Sequence, residues 1–141
     1  MDPNAHYFEV NRQYWDEATE IHLRGSETYP IEAFKAGKST LPSSDIEEVG
    51  DVTGKSMLHL QCHFGMDTLS WARLGAVVTG VDFSEKAVDA ARSLSKEIDV
   101  SADFICCNIY DLPHHLHRKF DIVYSSYARF LPFCVFALTA G

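Results

Sequence analysis

One uninterrupted stretch, Met57 to Asp82 (MLHLQCHFGMDTLSWARLGAVVTGVD), constrains the fold more than any other part of this chain. Met57 to Leu60 is a short apolar run of strand length. Gly65 opens a helix-like stretch to Leu74, Gly75 stops it, and the β-branched run from Val77 to Val81 leads to Asp82. Strand, tight turn, helix, strand and terminal acid, in that order, make half of a nucleotide-cofactor site. A turn at the carboxyl end of a buried strand lets the backbone approach a ligand. The N–H groups that open the next helix offer donors, and an acid about 20 residues on accepts from ribose hydroxyls. Asp82 stands where that acid belongs, so the expected ligand contains adenosine.

The glycines of the turn narrow the choice. Dinucleotide enzymes bring a pyrophosphate against the helix terminus with three of them, spaced G-x-G-x-x-G. Only Gly65 is present here, while Gln61 and His63 fill positions where glycine is expected. A pyrophosphate would meet side chains, which argues against NAD and FAD and leaves an NAD-binding oxidoreductase half-domain as a rival reading.

Leu58, Leu60, Cys62 and Gly65 match the first motif of the class I S-adenosylmethionine-dependent methyltransferases, which the chain resembles from about residue 56 to residue 127. That motif runs hydrophobic-Leu-Asp-Leu-Gly-Cys-Gly-x-Gly. His59 replaces its acid, and Gln61 and His63 replace its first two glycines. Val81, Asp82, Phe83 and Ser84 are similar to the second motif, whose acid holds the ribose hydroxyls and whose next apolar residue lies against adenine. Asn108 and Ile109 resemble the third, where a polar side chain meets the adenine amino group. Phe120 to Ser125 (FDIVYS) resembles the fourth strand, which ends beside the methionine part of the cofactor.

The resemblance implies an α/β fold, a Rossmann-like parallel sheet with helices on both faces, in which strand one lies between strands two and four and strand three outside strand two. It implies S-adenosylmethionine as cofactor, bound through Gln61, Cys62, His63, Gly65, Asp82, Phe83, Asn108, Ile109 and Ser125, and methyl transfer to a small-molecule acceptor. Methyl transfer is an in-line displacement in which positioning supplies much of the catalysis, so no catalytic base is named. Members of that family continue with a further helix and three strands. The C-terminal half of the family fold is therefore expected to be missing, and an inactive cofactor-binding remnant is an alternative. The uncharged stretch FLPFCVFALTAG, residues 130 to 141, does not resemble the helix expected there. A fourth strand with one free side invites self-association through an exposed sheet edge.

Residues 1–50 read as a helical cap or lid before a core at 51–141, one domain overall. Asp2 and Pro3 form a cap and first-turn pair, and Val10, Tyr14, Ala18 and Ile21 recur at helical spacing to Gly25. Pro30 marks a second first turn, and Ser44 with Glu47 makes a capping box before Gly50. Three short helices result. Tyr14, Trp15 and the stretch Phe34 to Thr40 are the lid candidates. Ser84 is the expected N-cap of a helix that buries Ala87, Ala91, Leu94 and Ile98, ahead of a third strand at Phe104 to Cys107.

Composition sets the outer limits. At 141 residues and 46% hydrophobic the chain suits one core. Its formal net charge of −8 opposes nucleic acid as a partner, because phosphate binding needs basic surface, and the bases of His114 to Lys119 read as a solvated loop. No signal peptide or apolar run of roughly 18 residues is seen, so no membrane partner and a cytoplasmic location are expected. Cys62, Cys106, Cys107 and Cys134 lack C-x-x-C spacing and read as buried thiols. A metal-binding module built on His59 and His63, or on His114, His115 and His117, is the remaining rival. Its first pair falls on a strand and turn, where side-chain directions differ.

Overall fold

The alternation of apolar strand and amphipathic helix produces a parallel sheet, as the strand–helix–strand order requires. The computed structural model describes residues 3–27 and 29–125. The expectations placed on Asp2, Tyr127, Cys134 and residues 130 to 141 lie outside the described residues. Four strands, β1 (Ser56–Leu60), β2 (Val77–Asp82), β3 (Asp103–Cys106) and β4 (Ile122–Tyr124), line up in the order β3-β2-β1-β4, all parallel. The expected order holds, with β1 beside the point where the strand order reverses. Leu60 pairs with Val81, Asp82 with Cys106 and His59 with Tyr124, so the carboxyl ends of all four strands form one edge.

Side chains alternate across this sheet. On one face α4 (Met66–Arg73) and α5 (Glu85–Glu97) cover two clusters. In one, Met57, Val78 and Tyr124 pack on Trp71; in the other, Phe34, Phe64, Leu69, Val88 and Phe104 meet. On the opposite face Leu58 and Val81 meet Phe120, followed by the half-buried Leu112 and Leu116 beside the short α6 (Leu112–His115). Arg118, from the expected solvated loop, is drawn onto this face, where it donates to the Thr79 hydroxyl at 2.6 Å and covers the Phe120 ring. His114, His115 and His117 stay exposed.

Three helices precede the sheet: α1 (Ala5–His22), α2 (Ile31–Lys35) and α3 (Ser43–Val49). α1 starts later than expected, with Asn4 at its cap and no side-chain capping bond. Its buried side also differs from expectation, since Val10, Tyr14 and Ile21 are exposed and Phe8, Arg12, Asp16, Thr19 and His22 turn inward. The Ser44–Glu47 capping box is not formed. Pro42 is the cap of α3, which places Ser44 inside the helix with its hydroxyl donating to Asp45. Asp45 in turn accepts from the Tyr124 hydroxyl at 2.7 Å, tying α3 to β4.

The stretch Phe34 to Thr40, expected in the lid, is anchored at both its ends. Phe34 is fully buried, with the Arg73 guanidinium 4.3 Å above its ring, and the Thr40 hydroxyl donates to Asp67 on α4. Burying a phenylalanine of this kind contributes about 2–3 kcal/mol. Ser84 does cap α5, its hydroxyl accepting from the Ala87 N–H at 3.1 Å, and α5 buries Ala87, Ala91 and Leu94 as expected.

Candidate functional site

The turn from Gln61 to Gly65 leaves β1 at its carboxyl end, and its backbone is the unusual feature of the site. Gln61, His63 and Gly65 all have positive φ, at 56°, 53° and 86°. Alternate residues thus take the left-handed conformation that glycine adopts freely. For Gln61 and His63 it costs about 1–2 kcal/mol each. The turn keeps the shape that three glycines would give, although only one glycine is present.

Gly65 is needed for a second reason. A Cβ there would sit 2.9 Å from the Phe104 ring and 3.0 Å from Ala91. Its N–H bonds the Cys62 carbonyl. Gly65 therefore lets α4 pack on the sheet, a role known for the last glycine of such turns. Cys62 likewise faces the core. Its N–H continues the ladder to Val81, and its thiol, pushed up in pKa by burial, lies in the Phe104 cluster. The Cys62 side chain thus points into the core.

Asp82 ends β2 with its carboxylate facing the turn. One oxygen accepts from the His63 N–H at 2.9 Å and the other from the Ser84 N–H at 3.0 Å. Burial raises its pKa, and the N–H groups of Ser84, His63 and Phe83 oppose that rise by favouring the ionised form. A carboxylate has about four acceptor positions, so capacity remains for a hydroxyl. Phe83 is half-buried beside it. At the end of β3, the Asn108 side-chain oxygen caps a short 3-10 turn, Ile109–Asp111, by accepting from the Tyr110 N–H. Asn108, Ile109 and Ser125 are half-buried and Gln61 is exposed, each just beyond a strand end. The four strand ends thus bring the expected residues to one edge, apart from the inward side chain of Cys62.

α1 crosses this edge. Phe8 stacks at a tilt on Tyr110 beyond β3, Asp16 accepts from Ser84 beyond β2, and Trp15 and His22 reach His63 beyond β1. Glu20 pairs with Lys86 on α5. Trp15 stands edge-on to the His63 ring at 5.7 Å, whereas Tyr14 points outward and touches only Trp15 among the ring contacts of the described residues. His22 Nδ1 lies 2.9 Å from His63 Nε2, and His22 stacks on Tyr29 at 4.1 Å. Desolvation depresses both imidazoles, His63 to about 4. Arg12, Asp16 and His22 were not singled out from the sequence, because polar residues on a helix ordinarily mark its solvent face.

His59 and His63 do not converge. His59 lies in the core, with Nδ1 2.6 Å from the Thr68 hydroxyl and its ring 5.0 Å from Tyr124. Among the described residues no group of three His, Cys, Asp or Glu side chains could hold a metal. A separate cleft of about 300 Å³, lined by Leu23, Ile31, Lys35, Phe64 and the outer side of α5, contains none of the expected site residues.

A reversing parallel sheet with an acid at the end of β2 and a left-handed turn after β1 defines a Rossmann-like cofactor protein. The chain belongs to the methyltransferase domain family, whose model matches residues 57–135. It is 33% identical over 78 residues to a ubiquinone biosynthesis O-methyltransferase of Chromobacterium violaceum, covering 55% of this chain and 34% of that one. A protein of the same description from Bordetella pertussis is 32% identical over 77 residues, covering 55% and 32%. The chain thus spans about a third of the length of these relatives. The magnesium protoporphyrin IX methyltransferase of Synechocystis, solved with bound SAH, shares the fold at 19% identity and a TM-score of 0.60, covering 84% of this chain and 57% of that one. No helix among the described residues is long and apolar enough to cross a membrane.

Proposed function

We propose that this chain binds S-adenosylmethionine at the carboxyl edge of β1, β2 and β3 and takes part in methyl transfer to a hydroxyl of a small molecule. The observation that carries this reading is the left-handed turn at Gln61, His63 and Gly65 joined to Asp82 through the His63 N–H. The fit is that of a ribose site: a buried acid held by backbone N–H groups, with acceptor capacity to spare and a half-buried aromatic, Phe83, next to it. Asp82 would accept from the ribose hydroxyls, Phe83 and Ile109 would flank adenine, and the Asn108 amide would meet its edge. Gln61, His63 and Ser125 would border the amino-acid end. Gly65 and Cys62 support the turn from beneath.

The cofactor, when bound, supplies an electrophilic methyl group on sulfur. The chain's own part is to bind, orient and exclude water. Residues 1–50 cap the core at 51–141 in this reading, with Trp15 in the lid and Tyr14 at its outer surface. The hydroxyl acceptor is supported by the names of the relatives, and the net charge of −8 weighs against nucleic acid. A cytoplasmic setting belongs to the same reading. Self-association would use the side of β4 that no described strand pairs.

Calorimetric titration with S-adenosylhomocysteine, with NAD as control, tests the proposal. Saturable binding of the first ligand alone is expected, weakened about tenfold or more by Asp82→Asn, which keeps the fold's acceptor and removes the charge. Binding unaffected by that change would remove Asp82 from the site. Absence of binding by the folded chain would defeat the reading.

A further inference from the structure

We propose that His22 is a positioning residue for the cofactor turn, taking over through His63 the conformational role that a glycine would play at position 63. This rests on the cofactor reading above. In the turn His63 takes a left-handed conformation, φ 53°, while its N–H donates to the Asp82 carboxylate. A side chain disfavours that conformation, which persists where the surroundings over-determine it.

The surroundings are specific. At one end of the residue the amide is fixed on Asp82 at 2.9 Å. At the other the imidazole is fixed by His22 Nδ1 at 2.9 Å and by the rings of Trp15, Tyr29 and Phe64, with centroids 5.7, 5.6 and 4.6 Å away. His22 is itself oriented by stacking on Tyr29, 4.1 Å away and 21° from parallel. Phe64 excepted, every group on the imidazole comes from α1 or the loop after it. In a chain with glycine at position 63 the turn would form without such help. Here the side chain that forbids the easy conformation is also the handle by which α1 enforces it, and the acid for the ribose is aligned from more than forty residues upstream.

The test is a double-mutant cycle read as Kd for S-adenosylhomocysteine by calorimetry on the full chain. His22→Ala is expected to weaken binding about tenfold, the scale set by the left-handed penalty it leaves unsupported. His63→Gly supplies the second background, and its own Kd is the reference there. In the His63→Gly background His22→Ala should change affinity less than about twofold. His22→Asn, whose amide nitrogen can take the place of Nδ1, should restore most of the lost affinity. Should His22→Ala fail to fold, His22→Phe carries the same expectation, because it keeps the stack on Tyr29 and removes only the nitrogens. An equal loss in both backgrounds would mean that His22 merely stabilises α1, and would overturn this inference while leaving the cofactor site intact. Failure of the parent chain to bind would overturn both.

Discussion

Acid should destabilise this protein through a group far from its surface. His59 occupies the place of the family's acid in the middle strand, is 1% exposed, and has its pKa lowered by desolvation from 6.5 to about 3. The unfolded chain binds a proton at this residue below pH 6.5, whereas the folded chain refuses it until about pH 3. Between those limits the unfolded state holds more protons, so stability falls as pH falls. The slope is about 1.4 kcal/mol per pH unit for one such group, which gives a loss of about 2 kcal/mol between pH 6.5 and pH 5. Other groups titrate in the same range, and a variant isolates the one of interest. His59→Gln keeps a partner for the Thr68 hydroxyl and cannot be protonated. Urea unfolding of parent and variant at half-unit steps from pH 7.5 to 5 gives the difference in stability at each pH. That difference should close by about 2 kcal/mol on acidification, with the parent losing more. A difference that stays constant within experimental error would show that His59 is protonated, or hydrated, in the folded protein, and would refute the argument from burial.

Two further perturbations test the core. Gly65→Ala adds a Cβ against Phe104 and Ala91 at positive φ, and should cost about 3 kcal/mol by chemical unfolding. A loss under 1 kcal/mol would mean that the crowding at Gly65 is relieved by movement. Phe34→Ala should lose about 3–5 kcal/mol, as expected for a cavity in a closed core, and a loss under 1 kcal/mol would mean that residues 31–35 dock only loosely on α4 and α5.

The part of the chain from Met57 to Asp82 was legible because each signal there is local. The β-branched run, the stop at Gly75 and the acid at Asp82 all report on their own residues. The strand order was legible through the resemblance, since four motifs in sequence fix a topology that periodicity alone leaves open. The inward face of α1 was not. Val10, Tyr14 and Ile21 announce a helix correctly but point to solvent, because the surface that α1 meets is the polar edge of strand ends. There Ser84 needs an acceptor and His63 a nitrogen partner, so Asp16 and His22 are half-buried, and of the apolar stripe only Ala18 is buried. The Ser44–Glu47 box failed for a related reason: Pro42 begins α3 earlier, and Asp45 is committed to Tyr124, a partner 79 residues away. Asn108 was expected at an adenine edge, but half of its amide is spent on its own turn, a local bond that the sequence could have signalled.

The burial of Phe34 has a consequence for how the chain leaves the ribosome. Its cluster is completed by Phe104, roughly seventy residues later in the chain. At about 5–20 residues per second, Phe34 waits roughly 4–14 s in water after its own synthesis before the last wall of its site exists. During that interval the Phe34 ring has no closed core to enter. A segment made before the sheet is thus finished only once β3 exists, and a holdase that shields nascent chains would meet it here.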